Sequence, residues 1–261
     1  MNDPLDFAVN LAQRTGDLLQ NYYNPAGIMS SAKPDKTVVT EADLAADKYI
    51  TQQIKQHFPH DEILSEESSH FIEDPLATIW IIDPLDGTTN FSLGLAIWGV
   101  SIARLVNGYP ELGAIYFPRL YELYSTRRGS GAYLNSNPIF AKAPDPTQPM
   151  SFFACCSRSF RLFNISVPYK PRIMGSSTYT MSMVARGLAL LGLDATPKIW
   201  DLAAAWLLVE EAGGIMSVFE GPPAFPLTPM IDYSTTSYTI LSAATPELLE
   251  MGKSKIQRKL K

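Results

Sequence analysis

The chain has 261 residues, enough for one large α/β domain or two packed halves with a substantial core. Its formal net charge is -5 and its pI is about 5.3, so it lacks the basic surface that binding to a nucleic acid polymer requires. No stretch of the sequence approaches the apolar length of a membrane span, and we expect no membrane partner.

The cysteines and residues 1–6 indicate the cellular compartment of the protein. Cys155 and Cys156 are adjacent in an apolar run, where they cannot form a framework disulfide and are expected to pack as small hydrophobic side chains. Residues 1–6 carry acids where a signal peptide needs lysine or arginine. We therefore expect a cytoplasmic protein.

Two helices are predicted near the N-terminal end. Apolar residues recur at helical spacing over residues 5–23, and a second helix is predicted over residues 41–58, ended by a proline. Thr40 would cap the second helix. Asp43, three residues later, would either complement the helix dipole or act in catalysis, and the local sequence favours neither role.

Acids follow a short apolar strand that comes next. Glu66 and Glu67 stand after Ile63 and Leu64. Taken alone, this pair is typical of a solvated charged loop. Strand ends that converge in a sheet could instead bring both acids to the carboxylates of the following segment.

Residues 79–91 are the most informative stretch. Four apolar residues predict a strand buried on both faces, and Pro84 is predicted to end it. Asp83 and Asp86 would then share one strand end, where repulsion and desolvation favour a bound cation or a shared proton. The N–H groups that follow Gly87 could bind an anion. Acids for a metal beside donors for a phosphate predict a phosphoryl-transfer site; the alternative is a solvent-exposed turn.

A β-pattern and a proline-rich segment organise the middle of the chain. Residues 97–134 predict an antiparallel meander that extends the sheet carrying Asp83. Residues 141–150 contain three prolines and are predicted to separate two halves of one compact unit. The first, residues 1–140, would be the metal-binding α+β half, and the second, residues 151–261, an α/β half that completes the active site.

Strands and helices alternate in the second half. Strands are predicted at 151–156, 171–174, 215–218 and 238–243, and helices at 176–191, 200–212 and 246–260. The helix at 200–212 is rich in small residues, so it can pack closely, and Asp201 lies in its first turn.

Three blocks of this sequence together resemble the inositol monophosphatase family of magnesium-dependent phosphatases. They are Asp83-Pro84-Leu85-Asp86-Gly87-Thr88-Thr89-Asn90-Phe91, Glu66-Glu67-Ser68 upstream, and Trp200-Asp201 with Glu211-Ala212-Gly213-Gly214 downstream. The blocks occur in the family's order and span most of the chain. The resemblance implies an α/β (α+β) fold, a layered αβαβα sandwich with an antiparallel-rich first sheet and a mixed second sheet.

The resemblance also implies a site for two or three Mg²⁺ ions. The implied ligands are Glu66, Asp83 and the Leu85 carbonyl for the first ion, and Asp83, Asp86 and Asp201 for the second. Asp83 would bridge the two ions, and Glu67 is a weaker candidate that would bind through water. Oxygen ligands suit magnesium better than zinc, and the three histidines form no ligand pattern.

Further roles come from the same resemblance. Asp43 and Thr88 correspond to the residues that orient the attacking water, and Glu66 is counted with them as catalytic. The N–H groups of Gly87 and Thr88 would hold the phosphate. Ser176 and Ser177 fall where the family places small residues that face the substrate.

The substrate is less sharply indicated. In inositol phosphatases an acid seven residues before the last metal-binding aspartate contacts sugar hydroxyls, and that position is Asp194 here. The alternative for Asp194 is a loop acid that caps the turn before Pro197. Lys33, a weaker candidate, begins a stretch that resembles relatives acting on nucleotide 3′,5′-bisphosphates or histidinol phosphate.

The leading hypothesis is Mg²⁺-dependent hydrolysis of a small phosphate monoester, with inositol 1-phosphate as the first substrate to test. The alternatives are a nucleotide 3′,5′-bisphosphate, histidinol phosphate or fructose 1,6-bisphosphate phosphatase and, from another class, a non-catalytic metal-dependent regulator. The resemblance further implies a homodimer and inhibition by lithium.

Overall fold

The computed structural model describes residues 3–32, 38–74, 76–145 and 151–259. The helices are α1 (Pro4–Gln20), α2 (Glu41–His57), α3 (Thr88–Ser92), α4 (Ser157–Leu162), α5 (Ser177–Ala185), α6 (Ile199–Glu211) and α7 (Pro246–Lys255). The strands are β1 (Ser31–Ala32), β2 (Val38–Val39), β3 (Glu62–Ser65), β4 (Ile79–Asp86), β5 (Gly99–Val106), β6 (Tyr109–Phe117), β7 (Glu122–Arg127), β8 (Ala132–Leu134), β9 (Asn137–Ile139), β10 (Phe152–Cys155), β11 (Phe163–Ile165), β12 (Lys170–Ile173), β13 (Ala189–Asp194), β14 (Ile215–Glu220), β15 (Thr239–Ala243) and β16 (Ile256–Arg258).

The first sheet contains seven strands in the order β3-β4-β5-β6-β7-β8-β9. Only β3 and β4 run parallel; every other neighbouring pair is antiparallel. The predicted meander is therefore confirmed, and β9 extends it by one strand that the sequence did not indicate.

The prediction that Pro84 ends its strand is wrong. Strand β4 continues to Asp86, because the register against β5 shifts between Asp83 and Asp86, so that three residues of β4 oppose two of β5. This bulge accommodates a proline that has no N–H to donate. The bulge also brings two carboxylates to the end of a fully buried strand.

The second sheet is mixed, as the resemblance implies. Its order is β12-β10-β13-β15-β14, with β10 parallel to β12 and β13, and β15 antiparallel to β13 and β14. The helix predicted over residues 176–191 is wrong beyond Ala185. Gly187, at a φ of +72°, ends that helix, and the apolar run that follows is the central strand β13.

The C-terminal segment also differs from the prediction. The last helix ends at Lys255 rather than continuing to residue 260, and β16 then pairs antiparallel with β11. The short elements α4 and β11 between the first strands of the second sheet were not predicted. Helix α4 packs against β11 and against β13 of the second sheet.

Five layers follow from the packing contacts. Helices α1 and α2 cover one face of the first sheet, α5 and α6 lie between the two sheets, and α7 covers the outer face of the second. The expected αβαβα sandwich is confirmed. Trp80 and Ile82 of β4 pack towards α1 and α2, whereas Ile79 and Ile81 pack towards α6, so this strand is buried on both faces as predicted.

Helix α6 approaches the first sheet closely. A Cβ added at Gly113 of β6 would lie 2.9 Å from the Cα of Ala204, so small residues are needed on both elements. The first sheet is built from residues 62–139 and the second from residues 152–243. The boundary at 141–150 stays a prediction, and residues 146–150 lie outside the described ones. No helix within the described ranges has the length and apolar character of a bilayer span.

Candidate metal and phosphate site

The carboxyl ends of strands from both sheets meet at one cavity of about 470 Å³. The predicted residues that line it are Glu66, Asp83, Leu85, Asp86, Gly87, Thr88, Ser176, Ser177, Asp194 and Asp201. Glu67 is half-buried in the turn after β3 and does not line the cavity. Lys33 lies outside the described residues. Of the indicated residues that the structure describes, all line the cavity except Glu67 and Asp43, and Asp43 is hydrogen-bonded to Thr88.

Three carboxylates form a cluster at the floor of the cavity. Asp83, Asp86 and Asp201 each offer an oxygen atom, and these atoms lie within 4.8 Å of one another. The β4 bulge supplies the first two. Asp201 is the third residue of α6 and accepts a hydrogen bond of 2.6 Å from the Lys198 N–H, which fixes it at the start of the helix.

Burial and mutual repulsion disfavour negative charge in this cluster. Burial first, then Glu66, Asp86 and Asp201, raises the pKa of Asp83 well above its usual range. Burial, followed by Asp86, does the same for the pKa of Asp201. Three carboxylates this close together in a buried site need a cation or shared protons, and their oxygen-only donor set fits a divalent cation such as Mg²⁺ or Ca²⁺.

Asp86 is held by the first turn of α5. Its Oδ2 accepts hydrogen bonds from the Ser176 and Thr178 hydroxyls and from the Thr178 N–H at 3.0 Å, while its Oδ1 accepts the Ser177 N–H at 3.2 Å. Burial raises the pKa of Asp86, and these hydrogen bonds oppose the rise. The Ser176 hydroxyl, expected to face the substrate, is buried and bonded to Asp86.

Thr178 is a site residue that the sequence did not reveal. Its side chain is fully buried, and it gives Asp86 both its hydroxyl and its N–H. The only local signal is its place two residues after Ser176 at a helix start. That signal has no meaning until the fold brings in Asp86, 92 residues away along the chain.

Asp43 caps the start of α2 and also contacts Thr88 of the site. Its Oδ2 accepts the Thr40 N–H at 2.8 Å and the Thr40 hydroxyl at 2.6 Å, which completes a capping box at the start of α2. Its Oδ1 lies 3.0 Å from the Thr88 hydroxyl, which is also 2.9 Å from the carbonyl of Leu85. Burial raises the pKa of Asp43, against the hydrogen bonds from Thr40 and Thr88.

Asn90 connects two distant segments of the chain at the site by hydrogen bonds. Its Nδ2 donates to the carbonyls of Ile97 at 2.7 Å and Met174 at 2.8 Å. The next residue, Gly175, has a φ of +77°, and a Cβ there would lie 2.6 Å from the Asn90 Oδ1. Asn90 belongs to the conspicuous Asp-Gly-Thr block, but no role for it was predicted.

Asp194 ends strand β13 and faces the cavity. Its side chain is 2% exposed, and its Oδ1 has no hydrogen-bond partner among the described residues. Burial and the nearby charge of Asp86 raise its pKa well above the usual range, while a hydrogen bond with the Ser177 side chain opposes the rise. No described residue of the turn before Pro197 bonds to this carboxylate, so the structure does not support the turn-capping alternative.

Comparison with known proteins agrees with this geometry. The sequence profile of the inositol monophosphatase family matches residues 1–251. The chain belongs to the inositol monophosphatase family. This membership identifies the protein as a phosphatase, an enzyme that acts on small phosphate esters.

Named relatives of this inositol monophosphatase family member differ in function. A histidinol-phosphatase from Chlorobaculum parvum is 36% identical over 231 residues, which cover 85% of this chain and 88% of the relative. The Nus factor SuhB of Escherichia coli is 34% identical over 241 residues, covering 87% and 90%. The structure of a Thermotoga maritima IMPase superposes with a TM-score of 0.80 at 26% identity, covering 97% of this chain and 98% of that one.

Proposed function

We propose that this protein hydrolyses a small phosphate monoester with Mg²⁺ held at the carboxylate cluster. The observation that carries the proposal is the convergence of Asp83, Asp86 and Asp201 beside the hydrogen-bonded pair of Asp43 and Thr88. A metal cluster alone would fit many enzymes. A cluster next to a hydroxyl that is itself bonded to a buried carboxylate fits an enzyme that activates water.

The ligand assignment uses the atoms that remain available. Glu66, Asp83 and the Leu85 carbonyl would hold one ion, and Asp83, Asp86 and Asp201 a second. Oδ2 of Asp86 already accepts three hydrogen bonds, whereas Oδ1 accepts one, so Oδ1 is the atom that we assign to the metal. When bound, Mg²⁺ supplies positive charge that activates a water and neutralises the phosphoryl and leaving oxygens.

Thr88 and Asp43 would orient and deprotonate the water. The Thr88 hydroxyl donates to Asp43, so its oxygen lone pairs point away from the carboxylate and can accept a proton from water. As the water attacks phosphorus, its proton passes to Thr88 and the proton of Thr88 passes to Asp43. The bond between phosphorus and the ester oxygen breaks, and the leaving alkoxide takes a proton from solvent water, so that an alcohol and inorganic phosphate are released. The N–H groups of Gly87 and Thr88 would bind the phosphate oxygens. Glu67 would act through water, as a secondary contributor.

Two substrates are supported by different observations. Inositol 1-phosphate is favoured by the family and by Asp194, which can accept hydrogen bonds from polyol hydroxyls. Histidinol phosphate is favoured by the burial of that carboxylate, because no cation of the described residues is among the groups that set its pKa. A buried carboxylate without a cationic partner gains most from a cationic amine. A relative named histidinol-phosphatase is consistent with this second candidate.

The remaining parts of the proposal rest on resemblance and composition. A homodimer and inhibition by lithium follow the family, and the two-half organisation follows the proline-rich segment at 141–150. A cytoplasmic location is supported by two free cysteines, one of them buried and the other half-buried on the cavity wall. Roles for Ser176, Ser177 and Lys33 in substrate binding stay predictions.

A panel of phosphate esters tests this proposal. Release of inorganic phosphate is measured from inositol 1-phosphate, histidinol phosphate, fructose 1,6-bisphosphate and a nucleotide 3′,5′-bisphosphate, with Mg²⁺ and with EDTA. We expect one or more esters to be hydrolysed only with Mg²⁺. A folded protein that binds Mg²⁺ but releases phosphate from none of them would contradict the proposal and favour the non-catalytic regulator.

A further inference from the structure

A second buried acid on α2 faces the turn that carries Glu66. Asp47 lies one helical turn after Asp43, so both project from the same face of the helix. It is 6% exposed and does not line the cavity. Its Oδ1 accepts hydrogen bonds from the hydroxyl of Ser65 and, at 3.2 Å, from that of Ser68. One carboxylate oxygen therefore holds the residues on both sides of Glu66 and Glu67.

Backbone hydrogen bonds also hold the turn between these serines, among them one of 2.7 Å from the Ser65 N–H to the Ser69 carbonyl. Strand β3 is the edge strand of its sheet and pairs only with β4. The Glu66 N–H donates to the Ile82 carbonyl of β4 at 3.2 Å, and the Glu66 carbonyl lies 2.8 Å from Nε2 of His70. Within the described residues no further strand lies beside β3, and Asp47 contacts the turn from helix α2. The hydrogen bonds that it accepts restrain the side chains of Ser65 and Ser68, in addition to the backbone hydrogen bonds of the turn.

Restraint of this turn matters because of the charges that Glu66 faces. Its negative charge contributes to the raised pKa of both Asp83 and Asp201. In the absence of a cation, this repulsion opposes a position of the Glu66 carboxylate close to the cluster. A turn fixed in advance keeps the carboxylate near its binding position, so less ordering entropy is lost when the cation arrives.

We propose that Asp47 is a positioning residue that fixes the Ser65–Ser68 turn and thereby orients Glu66 for metal binding. Together with Asp43, it gives helix α2 two contacts with the site, one helical turn apart. The first contact aligns Thr88, and the second aligns Glu66. This inference rests on the proposed metal-dependent function, and it adds a residue that does not itself touch metal or substrate.

The test measures Mg²⁺ binding directly by isothermal titration calorimetry in wild type and three variants. Asp47→Ala removes the shared acceptor and is expected to weaken Mg²⁺ binding by about tenfold or more, the usual effect of losing a group that orients a ligand. Asp47→Asn keeps an oxygen that both hydroxyls can reach and should stay within about threefold of wild type. Thr51→Val is the matched control, because the Thr51 hydroxyl bonds only to carbonyls of its own helix.

Phosphate release as a function of Mg²⁺ is the second readout. For Asp47→Ala we expect the half-saturating Mg²⁺ concentration to rise by the same factor as the dissociation constant, while kcat at saturating Mg²⁺ changes by less than about threefold. Thr51→Val should change neither quantity. If the role of Asp47 were merely structural, Asp47→Ala would have a lower melting temperature without this selective change in Mg²⁺ dependence.

Three results would overturn the inference. The first is an Mg²⁺ affinity of folded Asp47→Ala within twofold of wild type. The second is a loss of Mg²⁺ affinity in Asp47→Asn as large as in Asp47→Ala, and the third is an equal loss of Mg²⁺ affinity in Thr51→Val. If Asp47→Ala does not fold, Ser68→Ala is the variant to measure, because Ser68 is exposed. Loss of its hydroxyl should weaken Mg²⁺ binding by about threefold, and wild-type Mg²⁺ affinity in Ser68→Ala would contradict the positioning role. Absence of Mg²⁺ binding in wild type would contradict the proposed function instead.

Discussion

Replacing Thr178 by valine tests how Asp86 is held at the site. The substitution keeps the volume, the β-branching and the backbone N–H, so it removes only the hydroxyl that donates to Asp86. Asp86 then keeps three of its four donors. A hydrogen bond to a charged group contributes about 1.5–3 kcal/mol, so we expect Thr178→Val to lower the free energy of unfolding by about that amount at neutral pH without metal.

The stability cost of Thr178→Val should depend on pH, because it depends on the charge of Asp86. The lost hydrogen bond stabilises ionised Asp86, so its loss raises the pKa of Asp86 further above the usual range. The cost of Thr178→Val is therefore full above the folded-state pKa of Asp86 and shrinks as pH falls through that pKa, where the carboxyl group is protonated in both proteins.

Urea unfolding from about pH 4 to pH 8 measures this difference. Thr15→Val is the matched control, because Thr15 is fully buried and its hydroxyl donates to the uncharged Leu11 carbonyl at 2.8 Å. The control should lose about 0.5–1.5 kcal/mol, equally at every pH. If Thr178→Val shows the same small loss at every pH, then Thr178 does not stabilise a charged Asp86, and our account of the second metal position fails.

Three other predictions concern the cluster and the substrate. Asp86→Asn and Asp201→Asn should raise the Mg²⁺ concentration needed for half-maximal activity, and an unchanged requirement would remove them from the ligand set. Burial raises the folded-state pKa values of Asp83, Asp86 and Asp201, and repulsion from neighbouring carboxylates adds to the rise at Asp83 and Asp201. The stability of the metal-free protein should therefore fall as pH rises above about 4, and Mg²⁺ should raise the melting temperature more at about pH 8 than at about pH 5. An equal Mg²⁺ effect at both pH values would contradict the cluster as the binding site. Asp194→Ala should reduce kcat/KM for inositol 1-phosphate or histidinol phosphate by about 5- to 150-fold while an aryl phosphate is spared, and equal losses on both would exclude Asp194 from specificity.

The sequence predicted those parts of the site whose signal is local. The strand before Asp83, the glycine after Asp86 and the helix start at Asp201 can each be recognised within a dozen residues. The bulge at Pro84 could not, because a proline in a strand is indistinguishable from a strand end until the partner strand is known. Strand β13 was hidden for a similar reason, since Leu190 and Leu191 continue the apolar pattern of the preceding helix.

The supporting residues were missed because their partners are distant in the chain. Thr178 contacts Asp86 across 92 residues, Asn90 contacts Met174 across 84, and Asp47 contacts Ser65 across 18. A serine, threonine or asparagine has many local roles, and nothing in the neighbouring residues distinguishes one that supports a metal ligand. Such residues are found only when the fold brings the partner within hydrogen-bond distance.

The central claim is that phosphate ester hydrolysis takes place at the Asp83 cluster with Mg²⁺ bound there. Phosphate release from the best ester of the panel, measured across a Mg²⁺ titration for wild type and Asp83→Asn, tests it most directly. We predict saturable Mg²⁺-dependent activity in wild type and a loss on the order of a thousandfold in folded Asp83→Asn at every Mg²⁺ concentration. Activity of Asp83→Asn within about tenfold of wild type, or wild-type activity that persists in EDTA, would contradict the account.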